Sequence, residues 1–336
     1  MSPENRWKSL LELELNQKRV EATLRATTWK ELRSIGRAFK SNIGDAHSLL
    51  GLPHYFLIWA HQESEHLLAY VDISLPLAIR GHRLTDPSTR ARINSELAQR
   101  LRNPKEKGKF IKKMAQWSTG AVEQVLAVET VQNMMTRVFY SVLTSLWTSF
   151  EVFAAETWKL FVNKHPEVLT RARMQEAFRE SSTEGLSARS ISVGILSQHG
   201  FDLRNCMGDL LATRINFSDL QQIKKSYSDV FEDAQCATLL DDAGLRLLEG
   251  LRHIILHRAA IVDERFNRTT NLNLPIGKPI EIHDLPAQSI AESMVNSACS
   301  LMLYVDKQHR NWSASEPGSG RRLSSQVPTI IKATQR

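Results

Sequence analysis

Apolar residues recur at three- and four-residue intervals through much of the chain, and this spacing predicts helices rather than strands. The pattern is most regular from Ala121. There Val122, Val125, Leu126, Val131, Met134, Met135, Val138, Phe139, Val142, Leu143, Leu146, Trp147, Phe150 and Phe153 share one side of a long helix, or of two nearly continuous ones. The run ends near Lys164-His165-Pro166, where proline cannot continue a helix. Further helices are predicted over Glu167–Glu180, Leu186–His199, Ser218–Phe231 (capped by Ser218 or Asp219) and Asp241–Ala260. Asn271–His283, with Pro275, Gly277 and Pro279, breaks the period and reads as a short extended excursion or small hairpin. A last helix carries Ile290, Met294, Val295, Ala298, Leu301, Met302 and Val305 as its apolar stripe.

The N-terminal part is helical by the same test. Ser2-Pro3 opens a helix with Trp7, Leu10, Leu11 and Leu15 on one side. Thr28-Trp29-Lys30-Glu31 fits a capping box and starts a second helix through Phe39. Asp45 caps a fresh start after Gly44, and Tyr55–Ala60 is apolar enough for either helix or strand. The fold class expected is all-α, a helical bundle with a short extended excursion before its last helix, plus a helical N-terminal region. The divisions are residues 1–79, a connector over 80–120, a helical domain over 121–312, and a Ser/Gly/Pro-rich tail over 313–336 expected to be disordered.

Charge changes this picture locally. The chain of 336 residues carries a formal +7. Between Arg80 and Lys113 eleven Lys/Arg face three Asp/Glu, a surplus of eight, so the remainder nets to −1. A basic connector of this kind suits a polyanion, and Arg90, Arg92, Arg100, Arg102, Lys112 and Lys113 are its candidate RNA-phosphate contacts. Cys206, Cys236 and Cys299 are far apart and include no CxxC, which argues against a zinc ribbon or disulfide scaffold and for a reducing, cytoplasmic setting. The N-terminus has no signal-peptide core. Val138–Ala155 is interrupted by hydroxyls and Glu151, short of the roughly 18 uninterrupted apolar residues of a membrane span, so a buried helix and no membrane partner are expected.

Candidate chemistry concentrates in Leu245–Arg265. On a helix at about 100° per residue, Leu247, Leu248, Leu251, Ile254 and Ile255 form a core face. Arg246, Glu249, His253 and His257 fall opposite, with Arg252 at the edge of that arc. Imidazoles titrate near neutrality and move protons, and a guanidinium fork stabilises phosphate charge. The same set suits RNA cleavage by 2′-OH attack. Glu151, a carboxylate in the most apolar helix, is a candidate partner for a cation from this stretch. Metal binding by His253 and His257 would need Asp263 or His283 as third ligand, and the spacing in His61-Gln62-Glu63-Ser64-Glu65-His66 does not match HExxH. No metal or other cofactor is expected.

Arg252-His253-Ile254-Ile255-Leu256-His257 resembles the HEPN superfamily, of the RiboL-PSP/MAE type, whose motif is Arg, a polar residue, three residues and His near the start of a late helix. Ala260, Val262-Asp263 and Phe266 are similar to the small residue, Val-Asp and aromatic that follow in the family, with Ala260 where glycine is common. Gly277–His283 and the aromatic Trp147–Phe153 add to a likeness covering about residues 128–311. The resemblance implies a metal-independent endoribonuclease, found as toxins, phage-defence effectors and RNA-processing enzymes, in which two protomers face each other across a cleft. It implies His257 as general acid/base, Arg252 as the phosphate-stabilising cation and His253 as an orienting or proton-sharing group. Arg246, Glu249 and Glu151 are auxiliary candidates. RNA, a second copy of the chain, and an antitoxin or regulatory protein are the expected partners. The alternative is a non-catalytic RNA-binding or dimerisation module of the same family.

Overall fold

The computed structural model describes residues 13, 15–51, 128–170, 200–203, 205–281 and 285–315, with scattered positions between 91 and 109 and at 194 and 197. The architecture is an all-α bundle. Its elements are α1 (Gln17–Ala26), α2 (30–51), α3 (Glu129–Lys164), a 3-10 turn (Pro166–Thr170), α4 (Met207–Ala212), α5 (Leu220–Phe231), α6 (Ala234–Leu239), α7 (Ala243–Arg258), α8 (Glu264–Thr270) and α9 (Ala287–Ser315). Among the described residues there is no strand, only an isolated antiparallel bridge between Ile261 and Pro279.

Three long helices, α3, α7 and α9, pack on one another and hold the core. The apolar stripe predicted for α3 is the one buried: Phe139, Val142, Leu143, Leu146, Trp147 and Phe150 are each almost wholly enclosed. Burying a large apolar side chain contributes about 1.5–3 kcal/mol relative to leaving it in water. α3 is long and apolar enough to cross a membrane by length and composition alone, with mean hydropathy 1.3 over its best window. Half of that window is buried in the protein core instead. Several of the hydroxyls that interrupt it are satisfied within the helix. Thr144 Oγ1 donates to the Tyr140 carbonyl and Ser149 Oγ to that of Ser145, so neither is an orphan in an apolar setting. α3 stops at Lys164, as expected from Pro166.

α1 and α2 share this core. Val20, Leu32, Phe39, Ile43 and Leu50 belong to the same buried cluster as α3 and α9, with Phe39 5.0 Å from Phe153 between ring centres. Three local expectations are corrected. Leu15 lies in an extended lead-in, because Asn16 caps α1 and the helix starts at Gln17. α2 runs unbroken through Gly44 and Asp45, since Ile43, Ala46 and Leu50 keep one buried stripe in register across the glycine. The Thr28 capping box does not form. The buried carboxylate of Asp306, on α9, accepts from the backbone N–H of Thr28 and of Trp29 and from the Thr28 hydroxyl.

Further along, Pro166–Thr170 is a 3-10 turn where a helix from Glu167 was expected. The remainder of Glu167–Glu180, nearly all of Leu186–His199, and Tyr55–Ala60 lie outside the described residues. So do His61, Glu65 and His66, residues 111–127 and the tail beyond Ser315. α9 continues through Ser313–Ser315, past the expected start of the tail. α5 begins after Asp219, whose side chain accepts from Gln222 N–H, and α7 after Asp242, which accepts from Leu245 N–H.

The excursion before α9 folds back on the end of α7. Val262 N–H donates to the Lys278 carbonyl, Gly277 N–H to Val262 and Ile280 N–H to Ala260, all at 2.9 Å. The Tyr140 hydroxyl of α3 donates to the Ile280 carbonyl at 2.7 Å. These bonds pin the C-terminus of α7, which carries the candidate site.

Candidate functional site

α7 presents its two faces as the heptad-like pattern requires. Leu245, Leu247, Leu248, Leu251 and Ile254 are buried, which turns Arg246, Glu249, His253 and His257 outward. The helix then ends abruptly. Ala259 and Ala260 both take the left-handed conformation, φ 51° and 62°, and the Ala260 N–H closes on the Ile254 carbonyl at 2.9 Å. The chain reverses, Asp263 caps α8 by accepting from Phe266 N–H at 2.7 Å, and α8 lies back across α7. Gly250 permits that approach. A Cβ there would stand 3.0 Å from the Thr270 methyl and 3.3 Å from the Phe266 ring.

Between α7, α8 and the start of α5 opens a cleft of about 430 Å³. Arg246, Glu249, Arg252 and His253 line it from α7, Asp263 and Arg265 from the turn and α8, and Asn216 and Ser218 from the lead into α5. Of the sequence-predicted set, Arg252 and His253, with the auxiliary Arg246 and Glu249, therefore meet in one cavity. His257, one turn on, is exposed, and its ring centre is 5.0 Å from that of His253.

Each auxiliary residue has a definite place. Glu151 is half buried on α3 and faces Arg252 of α7. Burial raises its carboxyl above the usual range and the Arg252 charge holds it partly back. Arg252 Nε is sealed from solvent and has no hydrogen-bond partner. Arg246 is paired with Asp241, which also holds Lys224 at 2.7 Å, so its charge is largely committed. The carboxylate of Glu249 accepts from Leu220 N–H at 2.7 Å and thereby caps α5. Burial raises its carboxyl above the ordinary range, against that hydrogen bond.

Burial lowers the His253 imidazole below the ordinary histidine value of 6.5. The cations Arg265 and Arg252 and the neighbouring His257 push the same way, and Asp263 opposes them. His253 is thus held toward its neutral, proton-accepting form. Asp263 is engaged by Phe266 N–H and by Arg258 at 3.5 Å, and His283 lies outside the described residues. Among the described residues no three His, Cys, Asp or Glu side chains converge as a metal would require.

Of the basic connector, Arg102 is exposed in a turn, and Arg90, Arg92, Arg100, Lys112 and Lys113 lie outside the described residues. Sequence reasoning passed over Arg265 and the Asn216–Ser218 wall. Arg265 stands on a separate short helix, out of phase with α7. Its one local signal was Asp263-Glu264, an acidic pair suited to a helix start.

Comparison of the chain with protein-family models, with curated proteins and with solved structures finds no match.

Proposed function

We propose that the chain is a metal-independent endoribonuclease of HEPN type, cutting RNA by attack of a 2′-OH on the adjacent phosphate. One observation carries the reading: Arg252 and a histidine held toward neutrality, His253, line the same cleft, with His257 against that histidine. The Arg-polar-x3-His resemblance supports it.

In this reading neutral His253 accepts the proton of the 2′-OH. The 2′ oxygen attacks phosphorus and the bond from phosphorus to the 5′ oxygen breaks. His257 returns a proton to that leaving oxygen, giving a 2′,3′-cyclic phosphate and a 5′-hydroxyl end. Arg252 neutralises charge on the phosphorane oxygens, and Glu151 orients Arg252 from behind. The roles are shifted from the sequence-based expectation, which put the main proton transfer on His257: the histidine inside the cleft takes the base.

A homodimer belongs to the same proposal. Leu256 is 51 % exposed and Ile261 42 % exposed at the end of α7 beside His257, an apolar margin suited to a second copy that would bring two sites together. Light scattering reads the oligomeric state directly.

The reading is tested by incubating the protein with RNA and with a 2′-O-methyl RNA of the same sequence, each with and without EDTA. Cleavage of the first alone, unaffected by EDTA and ending in cyclic phosphate, is expected. Loss with EDTA would transfer the chemistry to a metal. Binding without any cleavage would favour the non-catalytic module.

A further inference from the structure

Arg265 stands in the cleft with no assigned task. Its backbone is fixed: Phe266, the next residue, is buried against Gly250 of α7, Asp263 caps the turn, and the Asn267 amide donates to the Leu274 carbonyl at 2.7 Å while its oxygen accepts from Leu274 N–H. Its side chain is exposed toward the cavity and forms no ion pair among the described residues. Of the other two cleft guanidiniums, Arg246 is paired with Asp241, and Arg252, the cation assigned to the scissile phosphate, faces Glu151. The carboxylate of Glu249, which feels the Arg265 charge, is committed to Leu220 N–H. A guanidinium with no ion pair among the described residues, on a rigid mount in the cleft that Arg252 also lines, is a ready anion ligand.

We propose that Arg265 is a second phosphate-binding residue, holding the phosphodiester next to the one at Arg252, so that the cleft takes a single strand with at least two consecutive phosphates. Arg252 and Arg265 arise from different helices that line the same cleft, and the His253 imidazole lies within the field of both. A mononucleotide or a lone phosphate would use only one of the two cations. A duplex, with its stacked backbone, would not enter a cavity of this volume. The inference rests on the nucleolytic reading for its reaction but not for its binding.

The test uses the full chain and a short 2′-O-methyl oligouridylate, which binds and cannot be cleaved. Arg265→Gln is expected to weaken binding about tenfold and make the salt dependence of affinity shallower by about one. Arg265→Lys should recover part of the affinity, since it restores charge without the fork. In a second arm Arg265→Gln should slow cleavage of an oligonucleotide by a larger factor than that of a dinucleoside monophosphate, which has only the scissile phosphate. Unchanged affinity and slope in Arg265→Gln would overturn the assignment while leaving the reaction standing. Loss of binding in the variant with no cleavage by the parent chain would overturn the reaction and keep the site. No binding by the parent chain would overturn both. An NMR titration of His253 in the folded variant, with its melting temperature recorded, reads the same change: the imidazole should titrate higher in Arg265→Gln, because a nearby cation is gone.

Discussion

The carboxylate of Asp306 caps α2 from a distance of 277 residues in sequence, accepting from the N–H of Trp29 at 2.8 Å, and it also accepts from that of Thr28 at 3.0 Å. The side chain is 1 % exposed and lies on the last helix, with Arg310 at 3.4 Å. A buried carboxylate with three donors is stabilising, and removing it leaves the N–H of buried Trp29 without its acceptor. Asp306→Ala is therefore expected to cost about 1–3 kcal/mol in a denaturant melt. A loss within a few tenths of that of an ordinary surface substitution would show that the cap is not holding α2 to the bundle.

Next to this cap, His309 stacks on Trp29 with ring centres 3.9 Å apart, and His165 Nε2 lies 2.8 Å from His309 Nδ1. One of these nitrogens donates and the other accepts, so the bond does not survive protonation of both rings. Burial, with His165 and Lys164, lowers the His309 imidazole below 6.5, against Asp306 and Glu31. The unfolded chain then binds more protons than the folded one. Stability is fully present above the unfolded value of about 6.5 and is lost as pH falls from there toward the folded value. Thermal melts should show a lower Tm at mildly acidic than at neutral pH, and His309→Gln should flatten that slope. An unaltered slope in the variant would place the titration elsewhere.

The turn after α7 carries strain at Ala259, a non-glycine residue at φ 51° with its methyl in solvent. Ala259→Gly should stabilise the protein by about 0.5–1 kcal/mol, the relief of the left-handed penalty less the added freedom of the unfolded chain. Ala260, at φ 62°, is a poorer test because its methyl is buried. A fall in Tm for Ala259→Gly would contradict the assigned turn.

Glu249 separates a structural from a chemical role at the cleft. Its oxygen caps α5, and burial disfavours its charge. Glu249→Gln keeps an acceptor for Leu220 N–H and should leave both stability and cleavage near the parent values. Glu249→Ala should cost about 1 kcal/mol. A cleavage rate that collapses in Glu249→Gln would make this carboxylate part of the chemistry.

Much of this arrangement was legible because it is local. Phe139 to Phe153 repeat at helical spacing, and the buried face of α3 follows from that repeat alone. The same arithmetic put Leu247, Leu248, Leu251 and Ile254 inside and turned His253 and His257 outward. Asp219 was readable as a cap because it bonds within its own turn. What escaped was non-local. Thr28 and Glu31 have the spacing of a capping box, but Asp306, distant in sequence, outcompetes it. Gly44 resembles a break and is overridden by the packing of Ile43 and Ala46. Arg265 reaches the cleft only because two alanines accept positive φ and Gly250 lets α8 lie on α7. No periodicity encodes that fold-back. The proximity of Glu151 to Arg252 was suggested by a lone carboxylate in an apolar stripe, a signal that named the cost of burial but not the partner.

The pH dependence of cleavage follows from the lowered His253 value. If His253 is the base, the rate is retained while the imidazole is neutral, so the acid limb of kcat/KM should fall below pH 6.5. An acid limb at or above that value would assign the base elsewhere.

The most direct measurement is the single-turnover cleavage rate of RNA in EDTA for the parent chain, Arg252→Ala and His257→Ala, with melting temperatures recorded alongside. Losses of about 10²–10³-fold for the arginine and about 10²–10⁴-fold for the histidine, without loss of folding, are predicted. Cleavage persisting at the parent rate in either folded variant would contradict the account.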